Sequence, residues 1–303
     1  MDSLDLEEMT NRIMQELQQR LGTASQSKGT TRSDIKDEFQ PQEQLPSAVA
    51  ESNESFTPLR HNRRNNIPQP RSAEMLEELQ AATPARIGVW RAGTRPLTRE
   101  MLLFRCDHAG AVDTVYGEVS DKLIEKFQLF QVETLYENTE NYLKRPDMGR
   151  LLTEESINRL RAGCQKRAQV QIVVSDGLSA NAIEHNLSDV YPALMDSLNA
   201  YGLKAGTPIF IKGGRVAVMD HIGEILEPDV LVMLIGERPG LVSSSSMSAY
   251  MCYRPRKGMV ESARTVLSNI HQGGTPPVEG GAHIGTIVSK MLEQKTSGVK
   301  LVI

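Results

Sequence analysis

The chain has 303 residues, 39% of them hydrophobic and 24% charged, with a formal net charge of −4. That length buries a full core in one large or two small domains, and the weakly acidic balance with 5% aromatic content excludes a basic, base-stacking nucleic-acid binder. No segment approaches membrane-spanning length and no signal-peptide run opens the chain; the three scattered cysteines, Cys106, Cys164 and Cys252, fit reduced thiols in a cytosolic protein rather than zinc ligands.

Leu6, Met9, Ile13, Leu17 and Leu21 recur at steps of three and four, so residues Ser3–Leu21 read as one amphipathic helix ended by Gly22. Residues 23–82 are rich in Ser, Gln, Asn, Thr and Pro and too poor in large apolar side chains to offset the entropy of ordering. They read as a disordered tether, with a weak helical turn at Ser72–Leu79. The first 22 residues therefore form a short docking helix on a long loose linker.

The folded body starts near Thr83. Arg86, Arg91 and Arg95 sit in an irregular Gly- and Pro-rich segment, suited to fixing a loop to carboxylates or to binding an anion. Thr98 is the expected cap of a helix to about Val115, with Leu102, Cys106, Ala109 and Val112 on one side and His108 as a structural residue. A short helix over Ser120–Phe127, a strand over Leu129–Leu135, a basic loop over Leu143–Arg150 and a helix over Thr153–Cys164 follow, giving a mostly helical region over residues 83–168.

From Gln169 the pattern alternates between strand and helix. Val170–Val174 reads as a strand and Ser179 as the cap of a long helix to Tyr201. Pro208–Ile211 reads as a strand and Arg215–Met219 as an extended piece. Val230–Ile235, six apolar residues between Asp229 and Gly236, suits a strand covered on both faces. Met259–Ile270 and His283–Leu292 carry helical spacing, and Val299–Ile303 reads as a last strand. The fold class is therefore α/β, a mainly parallel, Rossmann-like sheet flanked by helices over residues 169–303.

Three polar loops stand out: Ser175–Ala180, Gly236–Gly240 and Asn269–Pro277. The first two leave the carboxyl ends of predicted strands, where open α/β sheets bind ligands; the third follows a predicted helix. Ser179 is accounted for by capping alone, or by an anion site at the helix N-terminus. Asp220 and Glu224 flank His221, a tempting acid/base or metal set whose spacing is common at helix starts. No dinucleotide fingerprint, phosphate loop or serine-nucleophile elbow is present. The residues alone thus yield a binding face without a catalytic set.

The loops Ser175-Asp-Gly-Leu-Ser-Ala180, Gly214-Arg-Val216, Ile222-Gly-Glu-Ile-Leu226, Gly236-Glu-Arg-Pro-Gly-Leu241 and Ser268-Asn-Ile-His-Gln-Gly-Gly-Thr-Pro-Pro-Val-Glu279 together resemble the small subunit of ethanolamine ammonia-lyase. Pro84-Ala-Arg-Ile-Gly88 and Tyr142–Arg150 look like the same family, so the resemblance runs from about Thr83 onward. It implies an adenosylcobalamin-dependent lyase converting ethanolamine to acetaldehyde and ammonia. The small subunit would pack on a large barrel subunit with the cofactor between them and the catalytic residues on the large subunit. Cofactor-binding positions carried over from the family are Val216, Glu237 and Val266. Some relatives have cysteine where Val266 stands, which leaves that position a backbone or apolar contact. The resemblance also implies that residues 1–22 direct the chain into a bacterial microcompartment by binding shell proteins. The competing readings are a non-catalytic adaptor between a partner enzyme and a shell, and a nucleotide-binding α/β enzyme acting alone.

Overall fold

The computed structural model describes residues 67–83 and 85–303; the stretch Met1–Gly22 and most of the expected tether lie outside the described residues. Ser72 accepts from the Met75 N–H and starts α1 (Ala73–Ala82), a full helix where a weak turn was expected. β1 (Arg91–Ala92) and β2 (Arg95–Pro96) form a small hairpin in the arginine-rich segment. Arg86 in that segment pairs with Asp107 and lies over the Phe104 ring, so it fixes the loop to the next helix.

That helix is α2 (Thr98–Tyr116), whose cap position is Leu97 rather than Thr98. Its buried residues are Ala111 and Thr114, and the side carrying Leu102, Cys106, Ala109 and Val112 faces outward. α3 (Asp121–Lys126), β3 (Phe130–Glu133), α4 (Thr139–Lys144) and α5 (Glu154–Gly163) follow; Ser120, Asn138 and Thr153 cap the three helices by accepting backbone N–H groups. The expected basic loop at Leu143–Arg150 is the end of α4 and a single 3-10 turn at Met148–Arg150.

β4 (Val170–Ser175), α6 (Ala180–Ala200), β5 (Ile209–Lys212), α7 (Val218–Leu226) and β6 (Val230–Gly236) keep the expected alternation. All seven residues of β6 are buried, which its unbroken apolar run requires. The chain then departs from expectation. Arg215–Met219 is a turn running into α7, with Arg215 C=O accepting from Val218 N–H. Met259–Ile270 is not a helix: after a 3-10 turn at Glu261–Ala263 it becomes β8 (Thr265–Ile270), paired with β7 (Met247–Tyr253). Its spacing of Met259, Ala263, Val266 and Ile270 suits a helix, but the ladder to β7 supplies a partner that local periodicity cannot see. Where Val299–Ile303 is expected as a strand, Gly298–Lys300 forms a 3-10 turn and residues 301–303 carry no strand. α8 (Pro277–Gln294) precedes this turn.

The six strands lie in the order β3-β5-β4-β6-β7-β8. β3, β5, β4 and β6 pair in parallel, whereas β7 pairs antiparallel with β6, and β8 antiparallel with β7. The sheet is thus mixed, and the mainly parallel Rossmann-like description holds only for its first four strands. The reason is the β6–β7 connection, which carries no helix; without a crossover the chain can only return antiparallel.

Each face buries its own core. α3, α6 and α8 cover one face, around Ile172, Val174, Val232 and Leu234. α5 and α7 cover the other, around Val173, Ile211, Met233 and Ile235. α6 and α8 run side by side with almost no gap. A Cβ on Gly281 would strike the Val190 carbonyl, and one on Gly285 would strike Ser197. Ser197 Oγ instead donates to the Ala282 carbonyl at 2.9 Å.

Candidate functional site

Because β3, β5, β4, β6 and β8 all point the same way, their carboxyl ends share one edge of the sheet. The three polar loops therefore meet there, the third included, since it leaves a strand and not the helix expected before it. The first and second are bonded together: Leu178 N–H donates to the Gly236 carbonyl at 3.0 Å. Gly177 has φ +57°, and a Cβ there would collide with that same carbonyl, so only glycine permits the approach.

The serine run 243–246 is pinned by its backbone to α6. Ser179 Oγ donates to Ser244 C=O at 2.9 Å and Asn186 Nδ2 to Ser245 C=O at 2.8 Å, while Glu237 N–H donates to Ser246 C=O at 3.0 Å. The third loop closes on itself. Thr275 N–H donates to Asn269 C=O at 2.8 Å, and Asn269 holds φ +63°. His271 Nδ1 accepts from Gly273 N–H at 3.1 Å, which places the ring proton on Nε2, 2.8 Å from Asn269 Oδ1. Burial lowers the His271 pKa and favours this neutral ring.

Val216 follows β5 and packs, partly buried, against the core of the α5/α7 face. Glu237 follows β6. Val266 lies within β8, directly opposite Tyr250 of β7, and is 43% exposed. Tyr250, on a strand not recognised from sequence, connects Glu237 and Val266, whereas Val216 follows β5, three strands away in the sheet. Tyr250 packs on the same core as Val216, stands beside Val266, and donates through its hydroxyl to Glu237 Oε1 at 3.3 Å. Burial, reinforced by the Glu237 charge, pushes the Tyr250 hydroxyl up to about 12, so it remains a donor. Ser248, two residues before it on the same face of β7, has a buried Oγ with no hydrogen-bond partner. α7 covers β5 and β6 on this face, but Val266 and Ser268 remain open. The result is a patch of Tyr250, Val266 and Ser268 beside the Glu237 carboxylate, with the charges of Glu261 and Arg264 acting on the Tyr250 hydroxyl.

A family profile described as "Ethanolamine ammonia-lyase light chain (EutC)" matches residues 73–302. The chain belongs to the ethanolamine ammonia-lyase light-chain family. Curated relatives called "Ethanolamine ammonia-lyase small subunit" from Listeria monocytogenes and Clostridium tetani are 48% identical over 235 residues, 78% of this chain and 80% of theirs. One of the same description from Clostridioides difficile is 47% identical over the same share.

The Asp220, His221 and Glu224 set does not converge on a reaction centre. Arg264 Nη2 donates to both Asp220 oxygens at 2.9 Å. His221 Nδ1 accepts from Leu152 N–H at 3.1 Å, and Glu224 Oε1 accepts from Lys257 N–H at 3.2 Å. Each one secures a different segment. Arg264 is buried against Asp220 and also pairs with Glu261, and burial still raises the Asp220 carboxyl above its ordinary range.

One carboxyl at this edge is marked by the sequence only as a turn residue. Asp176 Oδ1 accepts from Gly177 N–H at 2.8 Å, Gly213 N–H at 2.9 Å and Ser175 Oγ at 3.2 Å. Enclosure outweighs these bonds and pushes the acid up to about 6. Beside it Tyr142 donates to Gly214 C=O at 2.8 Å, with Arg215 stacked 4.1 Å over its ring. These contacts tie α4 to the ends of β4 and β5.

Proposed function

We propose that this chain is the small subunit of an adenosylcobalamin-dependent ethanolamine ammonia-lyase, supplying one wall of the cofactor site at its interface with a larger barrel subunit. The observation that carries the reading is the Glu237–Tyr250–Val266 patch at the open end of the sheet, with Val216 on the same face beyond β5, in a chain of the light-chain family. A corrin is a broad macrocycle with apolar faces and a rim of amide arms. A surface for it needs aliphatic area with a few hydrogen-bonding groups to set orientation. Val266 offers exposed aliphatic area and Val216 a half-buried one, and Glu237 accepts from amide N–H groups. The residues present fit the group.

When bound, adenosylcobalamin supplies a carbon radical through homolysis of its cobalt–carbon bond. The residues of this chain hold and orient, and their packing excludes water. Tyr250 restrains the Glu237 carboxylate so that its second oxygen can face an incoming amide. No proton or electron transfer falls to this chain. The outward stripe of α2, with Leu102 58% and Val112 40% exposed, supports a chain that works against a partner rather than alone. We also propose that Met1–Gly22 leads the enzyme into a microcompartment through shell proteins. Deleting these residues should leave lyase activity intact and abolish co-localisation with the shell.

The deciding experiment co-expresses the chain with a candidate large subunit and measures cobalamin retention and ammonia release. Glu237→Ala should weaken retention by tenfold to a hundredfold, the loss of one charge-assisted contact of about 1.5–3 kcal/mol. Full retention and activity in that variant would remove Glu237 from the site. Ammonia release by this chain without any partner would overturn the subunit reading.

A further inference from the structure

α6 leaves β4 toward one face of the sheet and α7 leaves β5 toward the other. Adjacent strands whose connections part in this way open a crevice between their carboxyl ends. A cavity of about 40 Å³ lies there, walled by Tyr116, Tyr136, Tyr142, Glu118, Asp176 and Lys212. A second of about 260 Å³ adjoins it, sharing Glu118, Asp176 and Lys212 and adding the carboxylates of Asp121, Glu133 and Glu155 against Arg159. Neither is lined by Val216, Glu237 or Val266.

The charges inside the crevice do not balance. Lys212 Nζ is held by Glu118 at 3.0 Å. The three donors to Asp176 all reach Oδ1, and Oδ2 takes no hydrogen bond from the described residues. Asp176 is only partly buried, so this oxygen opens onto the cavity, where a cation or donor can meet it. Among the described residues no three His, Cys, Asp or Glu side chains gather as metal ligands, so one carboxylate oxygen within tyrosine walls suits an N–H-bearing cation better than a metal. The smaller cavity has room for only a few water-sized groups.

We propose that the crevice between the ends of β4 and β5 binds a small ammonium cation, with an N–H donated to Asp176 Oδ2 and the rings of Tyr116, Tyr136 and Tyr142 as its walls. Free ammonium and a primary alkylammonium share this chemistry. The site does not depend on the cofactor assignment.

The test is thermal unfolding of the full chain in ammonium, methylammonium, tetramethylammonium and sodium chlorides at equal ionic strength. At pH 8 the first two should raise Tm above sodium and the third, too large and lacking N–H, should not. A larger effect of ammonium than of methylammonium points to the ion itself, the reverse to an alkylamine. Asp176→Asn keeps the Oδ1 acceptor but replaces Oδ2 with a donor, so binding should weaken about tenfold or more. Lowering the pH to 5 should weaken it in wild type. Glu118, Lys212, Tyr116, Tyr136 and Tyr142 face the same crevice, with Asp121, Glu133, Glu155 and Arg159 in the adjoining cavity, and comparison with Asp176→Asn at each pH isolates the Asp176 contribution. Equal shifts from all four salts, or a shift that survives in Asp176→Asn, would overturn the proposal. Should that variant not fold, ¹⁵N-labelled ammonium added to wild type decides: bound ammonium gives its own exchange-protected proton signal, and its absence at saturating salt refutes the site.

Discussion

Replacing Asp176 with Asn should make the protein more stable at alkaline pH. The folded-state carboxyl titrates near 6 against 3.8 for an unperturbed aspartate, so folding raises its affinity for a proton. Stability from this group is therefore fully present below the unfolded value and is lost as pH rises through the folded one. Carried to pH 8, the gap amounts to roughly 3 kcal/mol of destabilisation, and at pH 4.5 to about 1 kcal/mol. Asparagine takes no charge and keeps an oxygen for the Gly177 and Gly213 N–H groups that Oδ1 now accepts. The stability difference between variant and wild type should then grow by about 2 kcal/mol between pH 4.5 and pH 8. With a urea m-value of about 2 kcal/mol/M, that is a midpoint change of about 1 M. Urea titrations of both proteins across this range, followed by circular dichroism, measure it directly. A difference that stays constant with pH, or a variant less stable at pH 8 than at pH 4.5 relative to wild type, would show that the carboxyl is not strained by enclosure.

Other perturbations probe the frame around the wall. Arg264→Met strands Asp220 without its cation and should cost about 3–5 kcal/mol, while Asp220→Leu combined with Arg264→Met should recover much of that loss; a double-mutant cycle from denaturant melts measures the coupling. Gly236→Ala drives a Cβ into the Ser179 and Asp176 carbonyls, so a loss of about 1–3 kcal/mol is expected in the same melts. Tyr250→Phe removes the bond to Glu237 and should lower stability by only about 1 kcal/mol, while altering cobalamin retention in the assembled enzyme.

What could be read from the chain depended on whether a residue's partners are near in sequence. β6 was legible because seven buried positions need an unbroken apolar run, and the start of α6 because Ser179 bonds its own third neighbour, Ala182, at 3.0 Å. β7 and β8 were not. Met247–Tyr253 mixes hydroxyl, thiol and aromatic groups, and Thr265–Ile270 is half exposed at the sheet's edge, so only pairing defines them. The same gap hid Tyr250, whose alternation with Ser248 and Cys252 was the available signal. Val216, Glu237 and Val266 came from resemblance alone; Tyr250 bonds Glu237 and stands opposite Val266, while Val216 lies beyond the end of β5. Asp176 looked like a turn former because the N–H of Gly213 that encloses it belongs to a distant strand end.

The glycine-lined seam between α6 and α8 has a mechanical consequence. With the backbone of one helix seated against the other at Gly281 and Gly285, neither can slide or roll without opening a void. A push on the turn that begins α6 is thus conveyed to the turn that begins α8, as through a clamped pair of rods. Any adjustment that a docked subunit imposes on the Asp176 end of the sheet should be felt at His271 as a shift of the whole helical slab.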